Sequence, residues 1–399
     1  MENINELFWD FKRCNRCILP ETFPGIEFDE RGVCNYCNNS EPMRVFGEEK
    51  LVEILAKYQN VGHEYDCVVP VSGGRDSSFV LHQIVKKHDQ RALALTVDSG
   101  FLTEEGVRNI ETMVNKLGVD HVWLRGSRER IQESRGNVRD KFHAWLNKPS
   151  INTIVPTLNA GDKTLNLRMY KYAKKHNIPL LLGGNNIGNS NFEQEHWKTG
   201  YLGVFPDDRG NYSRYDKVRL SCLFAHEYFS NSKNLKYSIF KEYFDGARVY
   251  FFESLFKPSG VNSLGFYDYI YWNESEILRT ISQDLDWKGA SDDTTTTWRI
   301  DDWAYPLINY LYLNLVGFTE HVELYSKMIR EEQIPRGEGL RRCLSDQRPR
   351  FEKIMIMFDE LGVTKDDVDA VLSDYRVPLL TSIVGSDIYC WGSGVRCEY

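Results

Sequence analysis

The sequence predicts an α/β protein: a doubly wound parallel sheet, preceded by a small cysteine-bearing ribbon and followed by a helical C-terminal region. Three observations carry this expectation. Short apolar runs alternate with amphipathic stretches from about residue 60 to 190, as strand–helix–strand units require. The run Cys67–Val71 closes on Gly73 and Gly74 and passes straight into Asp76, Ser77 and Ser78, residues that suit a helix start. Two C-x2-C pairs, Cys14/Cys17 and Cys34/Cys37, stand in front with sixteen residues between them.

A chain of 399 residues is long enough for several domains, and we expect a ribbon over 1–45, an α/β domain over 46–200 and an aromatic-rich, helical, substrate-side region over 201–399. The net charge of −8 speaks against a general nucleic-acid binder and for small-molecule work. No window approaches an apolar span of about 18 to 20 residues, and the first ten residues lack an apolar signal core, so a cytoplasmic protein without a membrane partner is expected. Homo-oligomerisation is left open.

Thiols in such a compartment are reduced, so clustered cysteines point to metal. Cys14, Cys17, Cys34 and Cys37 have the spacing of a tetrahedral zinc ribbon, and the turn-rich stretch between the pairs suits the hairpin that joins two knuckles. Four ligands fill the coordination sphere, which makes the role structural. The bland alternative is four buried cysteines without a metal. A redox C-x-x-C fits less well, because the motif is duplicated and no thioredoxin-like strand and helix surround it.

Glu48–Tyr58 reads as an amphipathic helix leading into the strand at Cys67. The turn at Ser72, Gly73, Gly74 and Arg75 then leaves the first amides of the next helix, Ser77–His88, unpaired and pointing outward, where the helix dipole favours an anion such as phosphate. A Walker loop would place a lysine after these glycines, and none is present. The strand Arg91–Val97 ends in Asp98-Ser99-Gly100. In a parallel sheet, ligands bind beyond the carboxyl ends of the strands, so Val97, Asp98 and Ser99 should lie beside the phosphate site, although Asp98 could equally cap its own turn. Thr103–Leu117 is a helix, Asp120–Leu124 a strand, and Arg125–Trp145 a helical stretch with surplus positive charge. The helix Leu165–His176 leads to the strand Ile178–Leu182, which closes on Gly183, Gly184 and Asn185 on the same rim.

From Tyr201 to about Trp287 aromatics are dense and periods unclear; an aromatic stripe is usually core, and Tyr267–Asn273 could instead line a sugar site. A second polar concentration runs from Trp287 to Trp303. Asp292 and Asp293, four threonines and Arg299 could hold Mg²⁺ or a polyol, or form a capped helix start. Beyond it, Tyr305–Phe318, Glu320–Glu332, Pro349–Leu361 and Lys365–Tyr375 read as helices.

Ser72-Gly73-Gly74-Arg75-Asp76-Ser77-Ser78 resembles the S-G-G-x-D-S signature of the PP-loop ATP pyrophosphatases. With the knuckle Cys14–Cys37, its spacing from that loop, and the stretch from Gly317 through His321 to Leu340, the chain resembles the N-acetyl sugar amidotransferase family. That resemblance implies ATP, Mg²⁺ and Zn²⁺ as cofactors, a sugar or nucleotide-sugar substrate, and ammonia from a separate glutaminase subunit. It implies that an acetamido or carboxyl oxygen attacks the α-phosphate, that pyrophosphate leaves, and that ammonia displaces the adenylate. Asp76 or Asp98 would hold Mg²⁺, and Asp76, Asp292, Asp293 and Arg299 are the candidate catalytic residues. Members of the family carry a lysine, histidine and glutamate cluster where this chain has Ser291–Arg299, so the sugar is the least secured part of the expectation. One rival is sulfur insertion on the same adenylate, with Cys222, Cys343, Cys390 and Cys397 as candidate thiols. The other is a non-catalytic nucleotide- or RNA-binding protein built on the zinc ribbon.

Overall fold

The computed structural model describes residues 11–23, 25–98, 100–158, 162–184, 213–236, 240, 260–290, 296–374, 387–389 and 396–398. Its centre is a five-stranded sheet of β1 (Cys67–Pro70), β2 (Ala92–Asp98), β3 (His121–Arg125), β4 (Leu180–Gly183) and β5 (Asn262–Gly265), in the order β3-β2-β1-β4-β5. Every pairing is parallel. Cys67–Pro70 lie opposite Ala92–Leu95, and Val68 lies opposite Leu181. The chain thus builds outward from β1 through β2 to β3, then returns to the other flank of β1 with β4. That reversal opens a crevice at the carboxyl ends of β1 and β4, where a parallel sheet binds its ligands.

The alternation of strand side chains explains the two cores. Cys67, Val69 and Val71 join the larger core, whereas Val68 packs on the other face with Leu93, Leu95, Leu181, Met169, Tyr170 and Ala173. Helices therefore cover both faces. In chain order they are α1 (Asn35–Asn38), α2 (Glu48–Leu55), α3 (Arg75–His82), α4 (Glu104–Leu117), α5 (Arg128–Asn147), α6 (Ile151–Leu158), α7 (Asp162–Lys175) and α8 (Arg214–Phe229). There follow α9 (Glu274–Leu285), α10 (Tyr305–Val316), α11 (Glu320–Arg330), α12 (Arg336–Asp346), α13 (Phe351–Leu361) and α14 (Lys365–Ser373). A final ribbon pairs β6 (Asp387–Tyr389) with β7 (Arg396–Glu398) in antiparallel register. No helix among the described residues is long and apolar enough to cross a membrane.

Two departures from the sequence expectation bear on the site. The sheet does not end near residue 190: its fifth strand, Asn-Ser-Leu-Gly at 262–265, comes from the aromatic-rich stretch. Such a tetrapeptide has little strand character of its own, and its backbone is held by β4 at the sheet edge. The same stretch holds α9. Its N-cap is Asn273, whose side chain accepts the Glu276 N–H, and it buries Ile277, Ile281 and Leu285 along one face. Through α9, the larger core runs from the cysteine ribbon past the sheet to α10 and α11.

Candidate active site and metal centre

The loop between β1 and α3 is shaped by close contact on two sides. Gly73 has φ +83°, and a Cβ placed there would fall 2.0 Å from the Gly106 carbonyl oxygen, the backbone of α4. The Gly73 carbonyl accepts the indole N–H of Trp287 at 2.9 Å and the side-chain amide of Asn109 at 3.2 Å. A residue with a side chain could neither adopt this turn cheaply nor fit beneath α4. Gly74 stands at the N-cap of α3 without a side-chain cap. The first amides of that helix are therefore open to an anion at the carboxyl edge of the sheet. Inside the loop, Ser77 Oγ accepts the Ser72 N–H at 3.2 Å, and the Ser78 hydroxyl donates to the Gly74 carbonyl at 2.8 Å.

The residues singled out in the sequence occupy distinct places around this turn. Arg75 points inward and is 2% exposed; its guanidinium donates to Glu274 at 2.9 Å and Thr297 at 2.8 Å, and lies 4.8 Å over the Trp272 ring. A buried cation needs such partners, so its side chain serves the interior while its backbone serves the helix start. Asp76 stays at the mouth, with Oδ1 accepting the Trp272 indole N–H at 2.9 Å, and its carbonyl accepts the Tyr267 hydroxyl at 3.3 Å. The aromatic stretch Tyr267–Asn273 therefore flanks the loop. Val97 and Asp98 end β2 on the same edge; Asp98 Oδ1 accepts the Gly100 N–H at 2.8 Å, and Oδ2 lies 3.3 Å from Arg125. Gly183 ends β4, and a Cβ on Gly184 would sit 3.6 Å from the Tyr267 ring and 4.0 Å from the Asp76 backbone. Ser99, Asn185, Asp292 and Asp293 lie outside the described residues. Arg299 adopts φ +48°, lies over Trp298 and Tyr305 at 5.3 and 5.6 Å, and is 3.9 Å from Asp302.

Sequence reasoning missed Asp301. Its segment is docked on the loop after β2: Leu102 bridges Asp302, the Thr103 hydroxyl donates to the Ile300 carbonyl at 2.6 Å, and Trp303 stacks on Phe101 at 4.8 Å. This puts the Asp301 carboxyl over the glycine turn, with an oxygen 2.9 Å from where a Gly74 Cβ would be. Burial raises the pKa of this carboxyl above the ordinary carboxylate value, a shift that Ser72 and Arg299 oppose and the neighbouring Asp76 adds to. The only sequence signal was that Asp301 and Asp302 share the polar stretch already noted.

Behind that stretch, His321 is buried against Trp298, Tyr305 and Tyr325, with Nε2 3.1 Å from the Thr296 hydroxyl. Burial lowers its pKa to about 4, with Asp346 pulling it up and Arg350 and Arg75 pushing it down. The unfolded chain, with a histidine pKa of about 6.5, then binds one proton more than the native state as pH falls below that value. Neutral His321 thus contributes stability that is present above about pH 6.5 and is lost as pH falls toward about 4. We expect His321→Asn to remove up to about 1.4 kcal/mol per pH unit from the acid slope of stability in this window. Urea midpoints of both proteins at about pH 7 and about pH 5 check this; parallel slopes would show that His321 titrates normally.

The four ribbon cysteines are all buried, and their Sγ atoms lie within 4.8 Å of one another. Cys14 and Cys37, and likewise Cys17 and Cys34, have sulfurs 3.7 Å apart. Zinc–sulfur bonds of about 2.3 Å place tetrahedral sulfurs about 3.8 Å apart, whereas a disulfide needs about 2.05 Å. The donor set and spacing therefore fit a single zinc ion. N–H groups of Arg16, Cys17 and Cys34 point at Cys14 Sγ at 3.4, 3.4 and 3.2 Å, as a thiolate requires. The ribbon is tied to the helical region by Arg336, whose guanidinium donates to the Cys17 and Cys14 carbonyls at 2.9 and 3.1 Å. Of the candidate sulfur-handling thiols, Cys343 is fully buried and burial pushes its pKa up, Cys222 is exposed on α8, Cys397 lies in β7, and Cys390 lies outside the described residues.

Fold and site together define a parallel α/β protein with an uncapped glycine turn at its switch point and a buried four-cysteine cluster whose spacing fits a metal ion. No known family profile matches the chain. Over 116 residues, 27% of its length, it is 25% identical to an uncharacterized protein of Methanocaldococcus jannaschii, of which it spans 40%. It is similar to the structure of NMN synthetase from Francisella tularensis, at 14% identity over 76% of this chain and 93% of that one, with a TM-score of 0.34. It is also similar to the U34-tRNA thiolase NcsA from Methanococcus maripaludis with its 4Fe–4S cluster, at 10% identity over 94% and 90% of the two chains, with a TM-score of 0.30. These are likenesses only, and the chemistry of the site rests on this chain's own residues.

Proposed function

We propose that the chain is an ATP-dependent amidotransferase that adenylates an acetamido or carboxyl oxygen of a sugar or nucleotide sugar. The observation that carries this reading is the turn Ser72–Ser78, with serine hydroxyls and uncapped helix amides gathered at the carboxyl edge of the central strand. Such a turn cradles the leaving pyrophosphate, and the absence of a following lysine distinguishes it from loops that retain the outer phosphates. The substrate oxygen forms a bond to the α-phosphorus as the bond to the β-phosphate oxygen breaks. Ammonia then attacks the activated carbon, AMP departs with the oxygen, and a proton is lost from nitrogen. Positioning and charge neutralisation do most of the work. Of the two candidate carboxylates, Asp76 fits Mg²⁺ better, because Arg75 and the Trp272 indole both engage its Oδ1, whereas Asp98 has Oδ1 engaged by its own turn and Oδ2 by Arg125. Mg²⁺ there would offset phosphate charge. Ammonia is supplied by a separate glutaminase subunit, and free ammonium replaces that subunit in a test.

Full-length protein incubated with ATP, Mg²⁺, ammonium and a panel of acetamido sugars should release pyrophosphate with one of them and lower its mass by about one unit, oxygen replaced by NH. A gain of about sixteen units with sulfide instead would mark the thioamide-forming rival. Failure to release pyrophosphate with any member, together with tight RNA binding, would favour the non-catalytic one.

A further inference from the structure

The Ser72 hydroxyl and Ser77 Oγ lie 3.2 Å apart, with Ser77 Oγ placed to donate to the Gly74 carbonyl at 3.2 Å, and the Asp301 carboxyl stands over Gly74 beside this pair. The same carboxyl fills the space over Gly74, one of its oxygens 2.9 Å from the position of a Cβ there, and its own Cβ lies 3.0 Å from that of a side chain placed on Gly106. It is not a chance surface contact, because the backbone on both sides is bonded to the loop after β2 through Thr103 and Leu102.

We propose that Asp301 is a resident anion of the phosphate cradle, occupying the space over Gly74 until a phosphate group displaces it. The inference rests on the reading of Ser72–Ser78 as a phosphate cradle, and its sign is opposite to that of an ordinary binding residue. Removing the charge should tighten anion binding.

The test is calorimetric titration of inorganic pyrophosphate into the zinc-loaded full-length protein, with and without Mg²⁺, comparing wild type with Asp301→Asn. The amide keeps the shape and loses the charge, and we expect it to bind pyrophosphate about tenfold tighter or more without Mg²⁺. Asp301→Ser, which also carries no charge, replaces it if the amide variant does not fold. Binding by a variant where wild type shows none would support the inference equally. If wild type binds and the variants bind equally or more weakly, Asp301 is not a competitor, and weakening confined to Mg²⁺ would make it a metal ligand instead. If neither protein binds pyrophosphate, the cradle reading fails and the inference with it.

Discussion

Replacing Glu274 with alanine is expected to cost up to about 3–5 kcal/mol of stability, because it removes the buried carboxylate that two guanidiniums share. Glu274 is only 4% exposed and sits between two guanidiniums. One oxygen accepts from Arg75 at 2.9 Å and from Thr297 at 3.1 Å, the other from Arg342 at 2.5 Å. Without the carboxylate the two arginines are left facing each other, and Arg75, with no route to water, keeps only Asp76, 3.3 Å from its Nε, as a counter-ion. Glu338 limits the damage on the Arg342 side, since it is held down to about 2 by hydrogen bonds from Arg341 and Arg342 and stays ionised. Urea unfolding measures the loss. A triple exchange of Arg75, Glu274 and Arg342 for apolar residues of similar size should recover most of it, as buried ion triads often tolerate full replacement better than partial removal. A loss below about 1 kcal/mol for the single variant would show that the network is solvated and contributes little.

That network also explains what was readable in the sequence. The turn Ser72–Ser78 and the cysteines Cys14, Cys17, Cys34 and Cys37 were legible because their chemistry is local: a few adjacent residues fix the turn, and a short spacing fixes each knuckle. The central strands were legible because burial on both faces leaves continuous apolar runs. The partners of the turn were not. Trp272, Glu274, Trp287 and Asp301 meet it from about 200 residues further along the chain, and no period or spacing encodes a tertiary contact. The sequence shows a charged residue at position 75 but not its direction. That is set by Glu274, which lies in a helix whose pattern was hidden among aromatics. One short helix, α12, joins both centres, since Arg336 caps the cysteine knuckle and Arg342 reaches Glu274.

Gly73→Ala should do the most damage of any single-carbon change to the loop, for two separable reasons. The backbone there has φ +83°, a conformation that costs a residue with a side chain about 1–3 kcal/mol. The added carbon also meets the Gly106 carbonyl at 2.0 Å, a backbone atom of α4 that cannot rotate away. Relief requires moving the turn or the helix, and either breaks the bonds from Trp287 and Asn109 that fix the Gly73 carbonyl. Gly118 isolates the first reason: its φ is +65° and nothing lies within 4 Å of its added carbon. Gly74 isolates contact with a side chain, since its added carbon meets the Asp301 carboxyl, which can swing aside. We therefore expect stability losses, measured by urea unfolding, in which Gly73→Ala clearly exceeds Gly118→Ala. Pyrophosphate release should fall about a hundredfold or more in Gly73→Ala, as a displaced catalytic loop does, and stay near wild type in Gly118→Ala. Equal stability of these two variants would mean that the turn does not press on α4. Equal activity would mean that pyrophosphate leaves from somewhere else.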